Sequence, residues 1–270
     1  MLSDSEFRLL LEDFDLSWEG FRKVRKGVKK RLRRQVQALG LRRFTEYLDL
    51  IRTDAEERRQ CRLLFTVSIS RFFRDACLWR LLEQDILPGL SSQAKIKAWA
   101  AGCARGEEVY SLVMLHQEIC RSKPRFPPLE VLATDINPDY LEQARAGVYQ
   151  KGSLKELPPG LEEAYFQRLA PGAGLGVIEA LRTAVTWRQH DLLCEGPPGR
   201  FHLILMRNNL LTYEGEAQRK TAVGMICGCL LEGGFLIIGR KERLPPGRWR
   251  LAPYLGVPCI LRQQGPAGGW

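Results

Sequence analysis

Residues 101–108 read Ala101-Gly102-Cys103-Ala104-Arg105-Gly106-Glu107-Glu108. The run before them, Ile96-Lys97-Ala98-Trp99-Ala100, is short and apolar, and a helical pattern follows from Glu107 to about Cys120. Strand, glycine turn and helix in that order is the opening unit of a parallel sheet, whose ligands bind outside the carboxyl ends of the strands. The glycines let backbone pass close to a ligand, and the helix presents its amino terminus at the same place. A dinucleotide fold would show G-x-G-x-x-G with an acid roughly 20 residues on. Here the glycine spacing differs, and the next strand-end acid, Asp135, lies further away. Two carboxylates directly after the turn would also repel a pyrophosphate, whereas a cationic sulfonium with an amino group tolerates them. This favours S-adenosylmethionine over a nicotinamide dinucleotide. The same residues also suit a plain helix-capping turn, with Glu107 and Glu108 complementing the dipole, and by themselves they leave both readings open.

The alternation continues on either side. Leu129-Glu130-Val131-Leu132-Ala133-Thr134 reads as a second strand ending at Asp135, an acid placed to accept from ribose hydroxyls, and Asn137-Pro138 opens a helix. Further on come a strand over Ala184–Arg188, another over Phe201–Met206, a helix from about Glu214 to Leu231, and a strand over Gly234–Ile238. Between Gly147 and Thr183 the alternation lapses into a Pro- and Gly-rich stretch, which reads as an insertion. The first 75 residues read as a helical bundle. Ser3-Asp4-Ser5-Glu6 has capping-box spacing. Helices follow through Phe7–Phe14, through Phe21, Val24, Val28, Leu32 and Val36 to Gly40, through Phe44–Ile51, and from a Thr53 or Asp54 cap to about Val67.

Composition bounds the classes. The chain has 270 residues, enough for one large domain or two modest ones, with an ordinary 45% hydrophobic content. No apolar run approaches the roughly 20 residues of a membrane helix. The start lacks a basic region followed by an apolar stretch, so a cytoplasmic protein without membrane insertion is expected. Eight cysteines form no C-x-x-C pair and three histidines are scattered, so the cysteines are expected to be reduced and no metal site is expected. Net charge is +10, and Arg22–Arg34 holds nine basic residues and no acid. Few aromatics interleave with them, which argues against nucleic acid and for an acidic protein partner or a solvated helix face.

Four segments in order carry a family resemblance: Ser68-Ile69-Ser70-Arg71-Phe72-Phe73-Arg74-Asp75, then the turn Ala101–Ser111, then Ala133-Thr134-Asp135-Ile136-Asn137, then Met206-Arg207-Asn208-Asn209-Leu210-Leu211-Thr212-Tyr213. Together with Tyr140–Tyr149 they resemble the CheR chemotaxis-receptor methyltransferases, as a divergent member. The resemblance spans nearly the whole chain, to about Gly239. It implies an α/β fold: a Rossmann-like class I methyltransferase domain over 76–270, an N-terminal helical domain over 1–75, and a small β-subdomain inserted at 147–183. It implies S-adenosylmethionine as cofactor, contacted from Ser68, Ser70, Arg74, Gly102, Glu108, Asp135, Asp191, Leu192, Arg207 and Asn208. Glu108 would hold the methionine amino group or neighbouring polar atoms, Asp135 the ribose, and Asp191 with Leu192 the adenine. The implied reaction is protein-glutamate O-methylation, with Arg74 orienting the carboxylate or the cofactor and Tyr213 lining the transfer site. The basic stretch 22–34 would meet the acidic helical region of a receptor.

The chain departs from the family pattern in places. Ser68 and Ser70 stand where Asn and Thr are usual, Arg71 replaces a small polar residue, Asp191 an Asn, and Asn209 an apolar residue. Gly239-Arg240-Lys241-Glu242 replaces Gly-His-Ser-Glu and adds two charges near the expected substrate side. These departures bear on the acceptor. A different protein, a small carboxylate, or a cofactor-binding module with little turnover are the alternatives they leave.

Overall fold

The computed structural model describes residues 2–196 and 199–265, so the outer ends of the expected domains, 1 and 270, lie outside the described residues. The strands are β1 Ile96–Ala101, β2 Leu129–Asp135, β3 Val148–Tyr149, β4 Phe166–Arg168, β5 Leu175–Val177, β6 Val185–Gln189, β7 Phe201–Met206, β8 Leu230–Ile238, β9 Leu251–Tyr254 and β10 Val257–Gln263. Seven form one sheet in the order β6-β2-β1-β7-β8-β10-β9. β6, β2, β1, β7 and β8 run parallel, and β10 and β9 close the edge antiparallel. This is a Rossmann-like α/β fold. The strand order reverses between β1 and β7, and a crevice opens there above the strand ends.

Period-two alternation builds both faces. On β1, Ala98 and Ala100 pack under the helix Glu107–Ser122, while Trp99 and Ala101 join the core beneath the helix Glu216–Cys229. The terminal hairpin β9–β10 was not expected from sequence. Pro253 and Pro258 interrupt its pattern, and Pro253 is tolerated because β9 is an edge strand. In the Pro- and Gly-rich stretch, β3, β5 and β4 form a separate antiparallel sheet.

The N-terminal part is helical, with two corrections to the expected elements. The second helix is broken: Trp18–Phe21 is one turn, and Arg25–Ala38 starts after Val24. The helix expected to reach Val67 is Ala55–Leu64, and residues 66–70 leave it without regular secondary structure. Arg31 secures that exit by donating to the carbonyls of Leu64 (3.0 Å) and Thr66 (2.8 Å). The capping box forms, with Glu6 N–H donating to Ser3 Oγ at 3.1 Å and Ser3 N–H to Glu6 at 2.7 Å. The basic helix buries Val28 and Leu32. Arg25 and Lys29 pair with Asp4, leaving Arg22, Lys23, Lys26, Lys30, Arg33 and Arg34 exposed.

The helical part docks on the turn after β7. Ser17 N–H donates to the Tyr213 carbonyl (2.8 Å), Gly215 N–H to that of Asp15 (2.7 Å), and Phe21 lies 4.8 Å from the Tyr213 ring. Gly20 permits the approach, since a Cβ there would overlap the Thr212 carbonyl oxygen. Gly20→Ala is therefore expected to destabilise the protein by about 1–3 kcal/mol through overpacking at this seam. Gly27→Ala, in a helix with open space around it, should be neutral or stabilising by up to about 1 kcal/mol. Urea unfolding of both variants measures the contrast; equal effects would contradict the account of the seam.

Candidate functional site

The crevice at the strand reversal has a void of about 1160 Å³, including the part open to solvent, and is walled by both parts of the chain. Its floor is the turn after β1. Gly102 takes φ +72°, and Gly102 N–H and Cys103 N–H both donate to the Thr134 carbonyl (2.8 and 2.9 Å). This stitches the ends of β1 and β2 together. A side chain at Gly102 would overlap the Asn209 amide, so glycine is required there on two grounds. Asn209 Nδ2 donates to the Ala101 carbonyl (2.5 Å) and its Oδ1 accepts from Leu210 N–H (2.7 Å), fixing the end of β7 to the end of β1.

Asp135 closes β2. Its Oδ2 accepts from Ala104 N–H (2.8 Å) and its Oδ1 from Asn137 N–H (2.9 Å), which aims the carboxylate along the turn. Burial raises its pKa above the ordinary range and the backbone donors oppose the rise. Trp99 Nε1–H, donating to Thr134 Oγ1 (3.0 Å), steadies the same strand end.

Glu107 and Glu108 part company. Glu107 is buried outside the lining, with its pKa raised by burial and one oxygen unpartnered. Glu108 faces the crevice and binds the guanidinium of Arg207, whose other arm binds Asp75 at 2.5 Å. Burial opposes the charge on Arg207, but the two carboxylates outweigh it and raise the pKa. With one cation between two anions, the triad carries a net negative charge, which suits a cationic ligand.

Ten of the residues singled out in the sequence line this one crevice: Ser70, Arg74, Gly102, Glu108, Asp135, Asp191, Leu192, Arg207, Asn208 and Tyr213. Ser68 does not. Thr66, Val67, Ile69 and Ser70 all line it, so the segment as a whole lies in the wall and Ser68 is left out of it. Asn208, at φ +53°, is held by Glu242, which accepts from Asn208 N–H (2.9 Å), Gly239 N–H (2.6 Å) and the Thr212 hydroxyl. Arg74 donates to the Ile69 carbonyl (3.1 Å), closing its own loop. Tyr213 lies at the end of the short helix Leu210–Tyr213. Burial raises its hydroxyl pKa, Glu242 adds to the rise, and the nearby Arg74 charge opposes it.

Sequence reasoning missed Arg62 and Glu214, which line the crevice and pair at 2.6 Å across the seam. Glu214 is buried, its second oxygen is unpartnered and its pKa is raised by burial. No periodicity marks either residue. His190 also lines the wall against Trp99, with both ring nitrogens buried and unpaired.

With this geometry in hand, the chain can be compared with known proteins. The family described as "CheR methyltransferase, SAM binding domain" matches residues 68–253. The chain belongs to the CheR methyltransferase family. Its cofactor is S-adenosylmethionine, and the turn, Asp135 and the anionic triad form a donor set that fits one. The chain is 32% identical over 212 residues to the "Chemotaxis protein methyltransferase" of Listeria monocytogenes, covering 77% of this CheR chain and 78% of that one. It is 30% identical over 221 residues, 80% of its length, to an "Uncharacterized 104.1 kDa protein in hypE 3'region" of Rhodobacter capsulatus, of which it spans only 23%. Among solved structures, the glycopeptide N-methyltransferase MtfA complexed with sinefungin aligns at 12% identity and TM-score 0.38 over 69% of this chain and 60% of that one, too low to carry an argument. No helix among the described residues is long and apolar enough to cross a membrane.

The triad makes a stability claim. Replacing Arg207 by Met leaves two carboxylates facing each other without a cation and is expected to cost about 3–5 kcal/mol. Chemical denaturation of Arg207→Met against the parent measures it, and a change near zero would mean that the triad holds nothing together.

Proposed function

We propose that the protein transfers the methyl group of S-adenosylmethionine to glutamate carboxylates of chemotaxis-type receptors. The observation that carries the reading is the shared crevice, where the Arg74 guanidinium, close enough to Tyr213 to bear on its hydroxyl, faces the same space as Glu108 and Asp135. When bound, the cofactor supplies an electrophilic methyl on a sulfonium. Asp135 accepts from the ribose hydroxyls, Asp191 and Leu192 border the adenine, and the Glu108 side of the triad receives the positively charged methionine end. Gly102, Ser70, Arg207 and Asn208 complete the cofactor wall. Ser68, outside the lining, acts at most through the chain it belongs to.

A glutamate acceptor is already ionised at neutral pH, so the step requires no strong general base. What the residues provide is placement: a carboxylate oxygen in line with the methyl carbon. Arg74 uses one arm on the Ile69 carbonyl, and its remaining N–H groups form a planar fork for a carboxylate. Tyr213, whose hydroxyl is protonated at neutral pH, donates beside it. The exposed basic residues of 22–34 offer a surface for an acidic receptor helix, and Listeria relatives named chemotaxis methyltransferases support that acceptor class. One observation favours a second reading. Arg240 and Lys241 are exposed directly beside Glu242, which would also suit another acidic protein or a small carboxylate.

Calorimetric titration with S-adenosylhomocysteine is expected to show binding to the parent and none to Asp135→Ala. Retained binding in that variant would mean the ribose lies elsewhere, and absence of binding in the parent would remove both readings. Labelled methyl transfer to receptor-enriched membranes then separates them. Base-labile label on receptors supports the first reading, label only on other acceptors the second, and base-stable label overturns the glutamyl ester.

A further inference from the structure

Residues 68–75 carry Arg74, and they also carry Arg71, the departure from the family pattern that the reaction does not use. The structure gives Arg71 a partner in the inserted stretch: its Nη1 donates to Glu156 Oε1 at 3.1 Å. The other oxygen of the same carboxylate accepts from Asp75 N–H at 3.3 Å. Glu156 therefore grips the loop on both sides of Arg74. Two further contacts join the same parts. Phe72 N–H donates to the Ser153 carbonyl (3.0 Å), and the buried Phe72 ring stands edge-on to Tyr149 (4.8 Å) and Phe166 (5.2 Å), which belong to β3 and β4. The loop is under backbone strain, with Phe73 at φ +52° and Asp75 at φ +66°. On its inner side Phe73 N–H donates to Ser111 Oγ (2.9 Å), Trp79 Nε1–H to the Arg74 carbonyl (2.9 Å), and Asp75 binds Arg207.

We infer that Glu156 is a positioning residue for methyl transfer: by bridging Arg71 and the Asp75 N–H it fixes the Arg74 loop from outside, so that the inserted sheet is a structural arm of the active site. The inference rests on the proposed role of Arg74. Both side chains of the pair are partly exposed, 49% for Arg71 and 35% for Glu156. A surface pair of this kind is weak as a stabiliser of the whole fold. Its weight is local, because two conformationally unfavourable residues bracket the guanidinium, and beside the Phe72 contacts this carboxylate is the outer hold that reaches Asp75. Arg71 and Glu156 are thus a matched pair, in which a residue unusual for the family finds its counter-charge on the insert.

The test uses the full chain as Arg71→Ala, Glu156→Ala and the double variant. Glu156→Ala is expected to lower kcat for methyl transfer roughly tenfold, and Arg71→Ala roughly threefold. The double variant should be no worse than Glu156→Ala, because the two act through one contact. Affinity for S-adenosylhomocysteine and the thermal midpoint should stay at the parent values, which a merely structural role would not allow. Amide hydrogen exchange at residues 72–75 is the second readout, and it needs no acceptor: Glu156→Ala should speed exchange there and leave residues 102–108 unchanged. Unaltered exchange overturns the inference even if the parent proves inactive. Faster exchange with unaltered kcat shows that the loop is held by Glu156 but that its position does not govern transfer, and overturns it equally.

Discussion

A single guanidinium buried between two carboxylates joins the parts that make up the site. Arg207 stands at the end of β7, Glu108 opens the helix after β1, and Asp75 ends the loop that brings the chain from the helical part into the sheet. Each element reaches the crevice for its own reason, but their relative placement is fixed where those charges meet. A buried cation is tolerable only with such partners. The surplus anion then faces the crevice, so the arrangement that satisfies the fold also sets the sign of the potential there.

The crevice is completed by chain ends held through backbone donors. The Thr134 carbonyl takes two N–H groups from the glycine turn, and Asp135 takes one from the turn and one from the next helix. These bonds hold the ligand-facing carboxylate at one orientation without a side-chain partner. The helical part contributes the remaining wall by close backbone contact at Gly20 and Gly215, and by the pairing of half-buried Arg62 with buried Glu214. The crevice is therefore lined by both parts of the chain, and the segment 66–70 that connects them lies in its wall.

Sequence by itself determined the element types of the parallel sheet, the turn at Gly102–Gly106, the acid at the end of β2 and the family. Those features are local: apolar periodicity, a glycine where φ is positive, and a carboxylate at the end of a strand. Ten residues that share one crevice were named in the sequence, most of them by their positions in the family's motifs; those at strand ends meet because a doubly wound sheet gathers its strand ends, while Ser70 and Arg74 come from the segment before the sheet. Tertiary structure alone decided what depends on direction and on partners distant in the chain. It left Ser68 out of the crevice lining although Val67, Ile69 and Ser70 beside it line it, a difference between neighbours that no periodicity in sequence marks. It separated Glu107 from Glu108, set Arg62 against Glu214 and Arg71 against Glu156, and gave Arg25 and Lys29 of the basic stretch to Asp4. Such pairs join residues tens to more than a hundred positions apart. A charge carries no mark in sequence of which opposite charge it will meet, and only the packed chain brings the two together.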